Sequence, residues 1–359
     1  QLKLLLLLSQ MQKTVLASLL LMFACSSNTN IIKVESPVRP AGQESVLGLS
    51  ANPIDTVRVG FIGLGMRGYS AVDRFTFVPN SMITALCDIE NNRVERSAEI
   101  LSRKGLPQAE MYGGEADSWK KVCESENVDL VYICTDWKTH TPMALYAMEC
   151  GKHVAIEVPA ATTLEEIWAL VNTAERTRKH CMQLENCVYD FFELTTLNMA
   201  QQGLFGEVIH TEGAYIHNLD PFWNSYQDDW RYEFNQKNRG DVYPTHGLGP
   251  ACWALDIHRG DKMDYLVSMD TKSVHGKAIA QEQLSAEERA ELGIGADDFA
   301  NGDHVATLIR TAKGKQIEIQ HNVYTRRPYD RMYSLTGVDG YACKYPVEGF
   351  ALKTENLAQ

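Results

Sequence analysis

The chain has 359 residues, 45% of them hydrophobic and 22% charged, enough for two domains with sizeable cores. Its 34 Lys and Arg against 46 Asp and Glu give a formal net charge of −12 with no basic block, which excludes nucleic acid and anionic membrane surfaces as principal partners. The ten histidines are scattered without metal-ligand spacing, so no metal site is expected.

Met11-Gln12-Lys13 opens an export-signal pattern: one positive charge, an apolar run over 14–24, and then Cys25. Met22-Phe23-Ala24-Cys25 approximates a lipoprotein box. The expectation is a bacterial protein exported to the periplasm or cell envelope, with a lipid anchor at Cys25 and residues 1–25 as signal and upstream sequence. Residues 26–54 are polar and rich in Ser, Asn, Pro and Gly, without a clear period, and read as a tether. The other eight cysteines show no Cys-x-x-Cys spacing and sit in apolar patterns, which reads as buried thiols.

From residue 55 to 187 strand and helix patterns alternate. Apolar strand runs are expected at Val57–Ile62, 82–87, 130–134, 153–158 and 181–184. Helical stretches are expected at 91–104, 115–126, 142–150 and 164–179, the third starting on Thr141-Pro142 with a hydroxyl cap and proline at the first position. The alternation predicts an α/β domain with a parallel sheet covered by helices. Its first strand runs into Gly63-Leu64-Gly65-Met66-Arg67-Gly68, a Gly-x-Gly-x-x-Gly turn opening a helix. In that setting Gly63 permits the tight turn, Gly65 lets backbone approach a pyrophosphate and Gly68 lets helix and strand pack closely. The second strand ends in Asp88, at the spacing of a carboxylate that holds the adenosine ribose and favours NAD over NADP; Arg93 lies several residues further on. A Rossmann dinucleotide-binding domain follows.

Ligands of such a sheet lie at the carboxyl ends of its strands. Those ends carry Asp136-Trp137-Lys138-Thr139-His140, Glu157-Val158-Pro159-Ala160 and Glu185-Asn186. The plainer readings of Trp137 and His140 are loop packing and a solvated imidazole.

After Tyr189 the pattern changes. A helix over 191–202 precedes long alternating runs at 208–217, 265–274, 303–311, 316–324 and 332–338, with Gly314 as a hairpin turn and a charged helical insert over 281–292. This predicts an α+β second domain, 188–359, built on an open mixed β-sheet.

The order of parts resembles the glucose–fructose oxidoreductase and inositol dehydrogenase superfamily. Most of its members carry Glu-Lys-Pro where this chain has Glu157-Val158-Pro159. The missing lysine points to a branch. The glycine turn, Glu157-Val158-Pro159-Ala160-Ala161, Glu185-Asn186-Cys187-Val188-Tyr189, Gly213-Ala214-Tyr215-Ile216-His217 and Tyr243-Pro244-Thr245-His246-Gly247 occur in one order and look like glycoside hydrolase family 109, the NAD-dependent α-N-acetylgalactosaminidases. The resemblance runs from Thr56 to about Pro346. Chains of that family continue well past this point, so the last residues are expected to be a truncation within the second domain.

Carried over by motif, the resemblance implies NAD contacts at Met66, Arg67, Asp88, Trp137, Lys138, Thr139, His140, Glu157, Val158 and Asn186. It implies substrate contacts at Tyr215, Arg231, Tyr243, Pro244, Thr245, His246 and Tyr324. The implied route oxidises C3 of a glycoside, removes the C2 proton, eliminates the aglycone, adds water and reverses the oxidation. It needs a base near neutral pKa, for which His246 is the candidate, and a phenol for the 3-hydroxyl proton, for which Tyr243 is the candidate. The plainer reading of His246 is a capping or buried structural histidine, and of Arg231 an ion pair with Asp228 or Asp229. Two other functions fit the same features: an NAD-dependent sugar or polyol dehydrogenase, and an idle NAD-containing sugar-binding lipoprotein. Homo-oligomer formation is left open.

Overall fold

The computed structural model describes residues 31–225, 230–283, 285–291 and 299–353. The export signal and Cys25 fall outside them. The chain divides into Gln1–Gln43 and Glu44–Gln359. In the first unit, residues 31–43 hold no helix or strand, and a turn is closed by Gln43 N–H donating to Pro40 O at 3.1 Å.

The second unit contains two sheets. The first has six parallel strands: β1 (Val57–Ile62), β2 (Ser81–Asp88), β3 (Glu110–Gly113), β4 (Leu130–Ile133), β5 (His153–Ile156) and β6 (Cys181–Gln183). Their order is β3-β2-β1-β4-β5-β6, so the chain reverses direction across the sheet between β1 and β4. That reversal opens a crevice above the strand ends, where a dinucleotide lies in this architecture. Helices α1 (Met66–Phe75), α2 (Asn91–Arg103), α3 (Ser118–Glu124), α4 (Trp137–Glu149) and α5 (Leu164–Thr177) connect the strands. Both faces of the sheet are covered. Val59, Phe61, Leu86, Val94 and Leu101 build one core; Ile62, Val131, Ile133, Ala144, Met148 and Ile156 build the other. Burial on both sides is why the strands read as continuous apolar runs without alternation. The short β3 gave no such run, because all four of its residues are exposed or half-buried.

Helix α4 corrects the expected start at Pro142. It begins five residues earlier, at Trp137, with Asp136 as its cap: Oδ1 accepts the Thr139 N–H at 3.0 Å. Pro142 lies inside the helix, and the Thr141 hydroxyl donates to Ala160 O at 3.0 Å instead of capping. An aspartate cap satisfies the first-turn N–H groups as well as threonine does, and the earlier start moves Trp137 to His140 from a loop onto a fixed helical turn. Helix α5 starts on a full capping box, with Thr163 Oγ1 accepting from Glu166 N–H and the Glu166 carboxylate accepting from Thr163 N–H.

The second sheet has seven strands in the order β13-β12-β11-β7-β10-β9-β8. They are β7 (Val208–Ile216), β8 (Met263–Asp270), β9 (Val305–Thr311), β10 (Gln316–Asn322), β11 (Tyr333–Gly337), β12 (Gly340–Cys343) and β13 (Gly349–Leu352). β7 and β10 run parallel and the other pairs antiparallel, which makes the sheet mixed. Gly314 turns the β9–β10 hairpin with φ +85°. One face packs on α6 (Phe191–Gln201) and on the helix Thr245–Ala254 through Phe192, Val208, Ala251, Leu255, Ile317, Ile319 and Leu335. The edge strand β8 starts and ends earlier than its apolar run suggested, and Tyr265, Leu266, Val267 and Met269 are exposed on it. The charged insert begins in the last residues of one helix, His275–Gln283, and contains a second, Ala286–Glu291.

Two further helices carry site residues: α7 (Trp230–Lys237) and α8 (Thr245–Ala254). Helix α8 lies directly on β7. A Cβ on Gly213 would sit 2.5 Å from Gly247 O, and one on Gly247 would sit 2.7 Å from Ala214 N. Only glycine at both positions lets the two backbones approach this closely, and His246 is thereby held over Tyr215.

Candidate cofactor and substrate site

The glycine turn is built for an anionic ligand. Gly63 has φ +88°, and a Cβ there would meet the Cys134 backbone at 2.7 Å, while one on Gly68 would meet Gly63 O at 1.9 Å. Those two glycines close the turn onto its neighbours. Gly65 differs: a Cβ there meets nothing within 4 Å. Helix α1 begins immediately after it with no side-chain cap, so its first-turn N–H groups and positive dipole end face that open space. A pyrophosphate fits this arrangement. A recess of about 390 Å³ lined by Gly65, Met66, Tyr69, Ser70, Arg93 and Arg96 adjoins it.

Asp88 sits at the end of β2, buried. Its Oδ2 accepts the Leu64 N–H at 2.6 Å and its Oδ1 the Glu90 N–H at 2.9 Å, so the carboxylate braces the glycine turn. Arg93 reaches back to within 3.4 Å of Asp88 Oδ1 despite its distance in sequence. Glu157, at the end of β5, accepts from Arg67 Nε at 2.8 Å and from the Tyr132 hydroxyl at 3.0 Å. Lys138 Nζ lies 2.9 Å from Glu233 Oε2, tying the start of α4 to α7. His140 is buried, with Nδ1 2.8 Å from Pro159 O and Nε2 3.0 Å from Thr135 O, and burial pushes its pKa down. It is thus a packed ring and not a solvated one. Val158 is buried and Asn186 is exposed.

Trp137 joins the two halves. Its indole stacks on Tyr243 at 5.6 Å and 14°, and stands edge-on to Phe234 at 5.2 Å. Around Tyr243 gather Tyr215 at 4.9 Å and His246 at 5.0 Å between ring centroids, all three buried. Arg231 is buried as well. Its guanidinium lies 4.6 Å from the Tyr243 ring and 5.5 Å from both the Tyr215 and Trp137 rings, and it donates to the Tyr215 hydroxyl at 3.3 Å. Asp228 and Asp229 lie outside the described residues. Pro244 and Thr245 are half-buried at the start of α8. Tyr324 is placed differently: it is fully buried, edge-on to Phe299 at 5.4 Å.

His246 Nδ1 meets Glu185 Oε1 at 2.6 Å, and the same oxygen accepts the Cys187 N–H at 2.9 Å. Burial pushes the Glu185 carboxyl up, but the hydrogen bond and charge of His246 outweigh it and hold the group below its ordinary value. Burial pushes His246 down, against the opposing pull of Glu185. The pair is therefore a carboxylate and a neutral imidazole. A carboxylate only accepts, so the proton sits on Nδ1 and the Nε2 lone pair is the basic one. Glu185, Cys187 and His246 also group as metal-ligand types. Among their atoms, Glu185 Oε1 and His246 Nδ1 bond each other, and the Arg331 guanidinium lies 3.4 Å from Cys187 Sγ.

Sequence reasoning placed Glu185 at a strand end without giving it a role, since its partner is 61 residues away. It gave no signal for Arg331, whose guanidinium covers the Tyr215 ring at 4.9 Å, or for His321, fully buried and stacked on Tyr215 at 6.0 Å, whose pKa burial pushes down to about 3. A cleft of about 560 Å³ shares Trp137, Pro244 and Thr245 with the group and is otherwise lined by such residues as Ile167, Leu170, Val171 and Asp241.

Residues 57–184 match the family described as oxidoreductase family, NAD-binding Rossmann fold, and residues 189–353 match glycosyl hydrolase 109, C-terminal domain. Glycosyl hydrolase family 109 protein 1 of Bacteroides fragilis is 60% identical over 344 residues, covering 94% of this chain and 72% of the relative. The chain belongs to glycosyl hydrolase family 109. Its namesake from Bacteroides thetaiotaomicron is 60% identical over 322 residues, covering 90% of this chain and 67% of the relative. Among solved structures, an NAD binding oxidoreductase from Klebsiella pneumoniae superposes with a TM-score of 0.63 at 19% identity, over 80% of this chain and 72% of that one. The myo-inositol dehydrogenase of Lactobacillus casei, in complex with NAD(H) and myo-inositol, superposes with a TM-score of 0.58 at 19% identity, over 83% and 75%. These two establish the shared fold. The cofactor of this family 109 member is NAD, and its class is that of the NAD-dependent glycosidases.

Proposed function

We propose that this family 109 member hydrolyses terminal α-N-acetylgalactosaminides by transient oxidation at C3, elimination across C1–C2 and addition of water. The observation that carries the reading is the Glu185–His246 pair beside Tyr243. Ordinary glycoside hydrolysis uses two carboxyl groups facing the scissile bond. Here, among the described residues, the nearby buried carboxyl groups are each engaged: Glu185 by His246, Glu157 by Arg67 and Tyr132, and Asp241 by the Tyr243 N–H. A neutral base is what the site presents.

NAD, when bound, supplies reversible hydride acceptance, which gives access to a ketone at C3 of the sugar. The Tyr243 phenol, its pKa pushed up by burial, is a neutral hydroxyl that holds and relays the 3-hydroxyl proton. With a carbonyl at C3 the C2–H bond is acidic. His246 Nε2 takes that proton, and the Glu185 carboxylate stabilises the imidazolium that forms. The C1–O bond breaks as the C1–C2 double bond forms, and the imidazolium of His246 gives its proton to the departing aglycone oxygen. Water then adds its oxygen to C1, His246 takes the proton this releases and delivers it to C2, so the new C2 hydrogen comes from solvent, and reversal of the C3 oxidation completes the cycle. Arg231 fixes the Tyr215 hydroxyl, and its planar guanidinium orients a sugar hydroxyl or the acetamido group.

The test is hydrolysis of an aryl α-N-acetylgalactosaminide in deuterated water, read by proton NMR of the released sugar. Deuterium at C2, with no net accumulation of NADH, is the expected result. Full C2–H intensity, at a rate unchanged after NAD is stripped, overturns it. Stoichiometric NADH without aglycone release indicates a dehydrogenase.

A further inference from the structure

Helix α7 belongs to the second domain. The Ala300 N–H donates to Gln236 O at 2.8 Å and the Asn301 N–H to Asn235 O at 3.2 Å. Asn301 Nδ2 donates to Gly240 O at 2.8 Å, and Arg239, just past the helix, lies 2.6 Å from Asp270 at the end of β8. The start of α7 also reaches across to the first turn of α4, in the cofactor-binding domain. Two consecutive residues of each helix meet there. Trp137 stands edge-on to Phe234 at 5.2 Å, and Lys138 Nζ lies 2.9 Å from Glu233 Oε2.

Charge marks this contact. Lys138 occupies the first turn of α4, the positive end of the helix dipole, where a lysine is unfavourable. Glu233 occupies the first turn of α7, where a carboxylate is favoured, and its second oxygen lies 2.6 Å from Lys237 Nζ one turn on. Two helix starts therefore share one carboxylate. Hydrogen bonds from Lys138 and then Lys237 hold the Glu233 carboxyl below its ordinary value. The Glu233 side chain is 18% exposed and that of Lys138 67%, so the pair closes the seam between the domains at its rim. Trp137, Tyr243 and Arg231 close it further in.

That rim borders the cofactor crevice. Helix α4 follows β4, and β1 and β4 are the strands between which the sheet order reverses. A Cβ on Gly63 of the glycine turn would meet the backbone of Cys134, three residues before α4 begins. The ion pair thus joins one wall of the crevice to the second domain.

We propose that Glu233 is a positioning residue whose pairing with Lys138 latches α7 against α4 and sets how long NAD stays bound. The domains part at this rim when the dinucleotide enters or leaves, and the pair breaks as they do. Glu233 acts through Lys138 and the start of α4 and touches neither cofactor nor sugar.

The experiment follows NADH fluorescence on mixing the NADH-loaded protein with excess NAD. No sugar is present, so failure here is separate from failure of the glycosidase reading. Glu233→Gln is expected to release NADH about fivefold faster than the wild type. The gap is expected to close as sodium chloride is raised from about 0.05 to about 0.5 M, because exposed pairs are screened. Lys138→Met combined with Glu233→Gln is expected to be no faster than the faster single variant. Equal release by Glu233→Gln and the wild type, a gap that persists at high salt, or single effects that multiply in the double variant overturns the latch. A second measurement begins with the wild type alone: added NADH is expected to slow hydrogen exchange of the α7 amides, and to slow it less in Glu233→Gln. Wild-type α7 amides that exchange alike with and without NADH overturn the latch as well.

Discussion

Glu185 Oε1 and His246 Nδ1 lie 2.6 Å apart, joining the turn after the last strand of the first sheet to the start of a helix packed on the second. The contact fixes which imidazole nitrogen carries the proton. Glu185→Gln keeps the size but lets the amide present either its oxygen or its N–H₂, so the tautomer is no longer imposed. Turnover is expected to drop about 10²–10⁴-fold, with bound NAD retained as measured by cofactor release on denaturation. Near-normal turnover would return Glu185 to a purely structural cap.

The pH profile carries a second prediction. Burial holds the His246 pKa below its usual value of 6.5, so the acid limb of kcat/KM is expected below pH 6.5. Glu185 raises that pKa and Arg331 lowers it. Removing the carboxylate in Glu185→Gln should move the limb to lower pH; Arg331→Gln should move it to higher pH. Shifts in the same direction for both variants would mean that His246 is not the group titrating.

The glycines of the turn should separate stability from cofactor affinity. A methyl on Gly68 would lie 1.9 Å from Gly63 O, so Gly68→Ala is expected to destabilise by about 1–3 kcal/mol or more and to lose NAD with the turn. A methyl on Gly65 meets no protein atom within 4 Å. Gly65→Ala should leave the melting temperature near the wild-type value and still weaken NAD, because the methyl occupies the ligand's approach. Thermal melts with calorimetric titration of NAD read both, and an unchanged affinity in Gly65→Ala would move the pyrophosphate elsewhere.

Asp241 gives a stability prediction. Burial pushes its carboxyl up to about 7, while its Oδ1 accepts the Tyr243 N–H at 3.0 Å. The unfolded value is about 3.9. Between those two values the folded state holds more of the proton than the unfolded state, so this group's contribution to stability falls as pH rises from about 4 to about 7. Asp241→Asn keeps an acceptor for Tyr243 and removes the titration. Its melting temperature relative to wild type should rise across that window and level off above it; a constant difference at all pH values would contradict the assignment.

Much of the first sheet was legible because its physics is local. β-Branched runs, glycine spacing and an acid after the second strand each act over a few residues, and Gly63, Gly65, Gly68 and Asp88 fall where the spacing put them. What failed was also local in sequence but ambiguous in chemistry. Asp136 and Thr141 are both competent caps, and only the path of the chain after β4 selects Asp136. The alternating run at 265–274 gave no sign that its strand lies at an edge, because sequence alone cannot tell an edge from a centre. Partnerships across the two sheets left no local trace: Arg93 with Asp88 is a short reach, but Glu185 with His246, and Arg331 with Tyr215, exist only once both sheets are folded and docked.

The two matched family segments end at 184 and resume at 189, and Glu185 lies in the four residues between them. The carboxylate that orients the base therefore lies at the junction of the two matched segments, while the base it orients lies within the second. A chimera that joins this first segment to a different second segment keeps the strand leading into the turn and must rebuild the Glu185 contact before the base is oriented again.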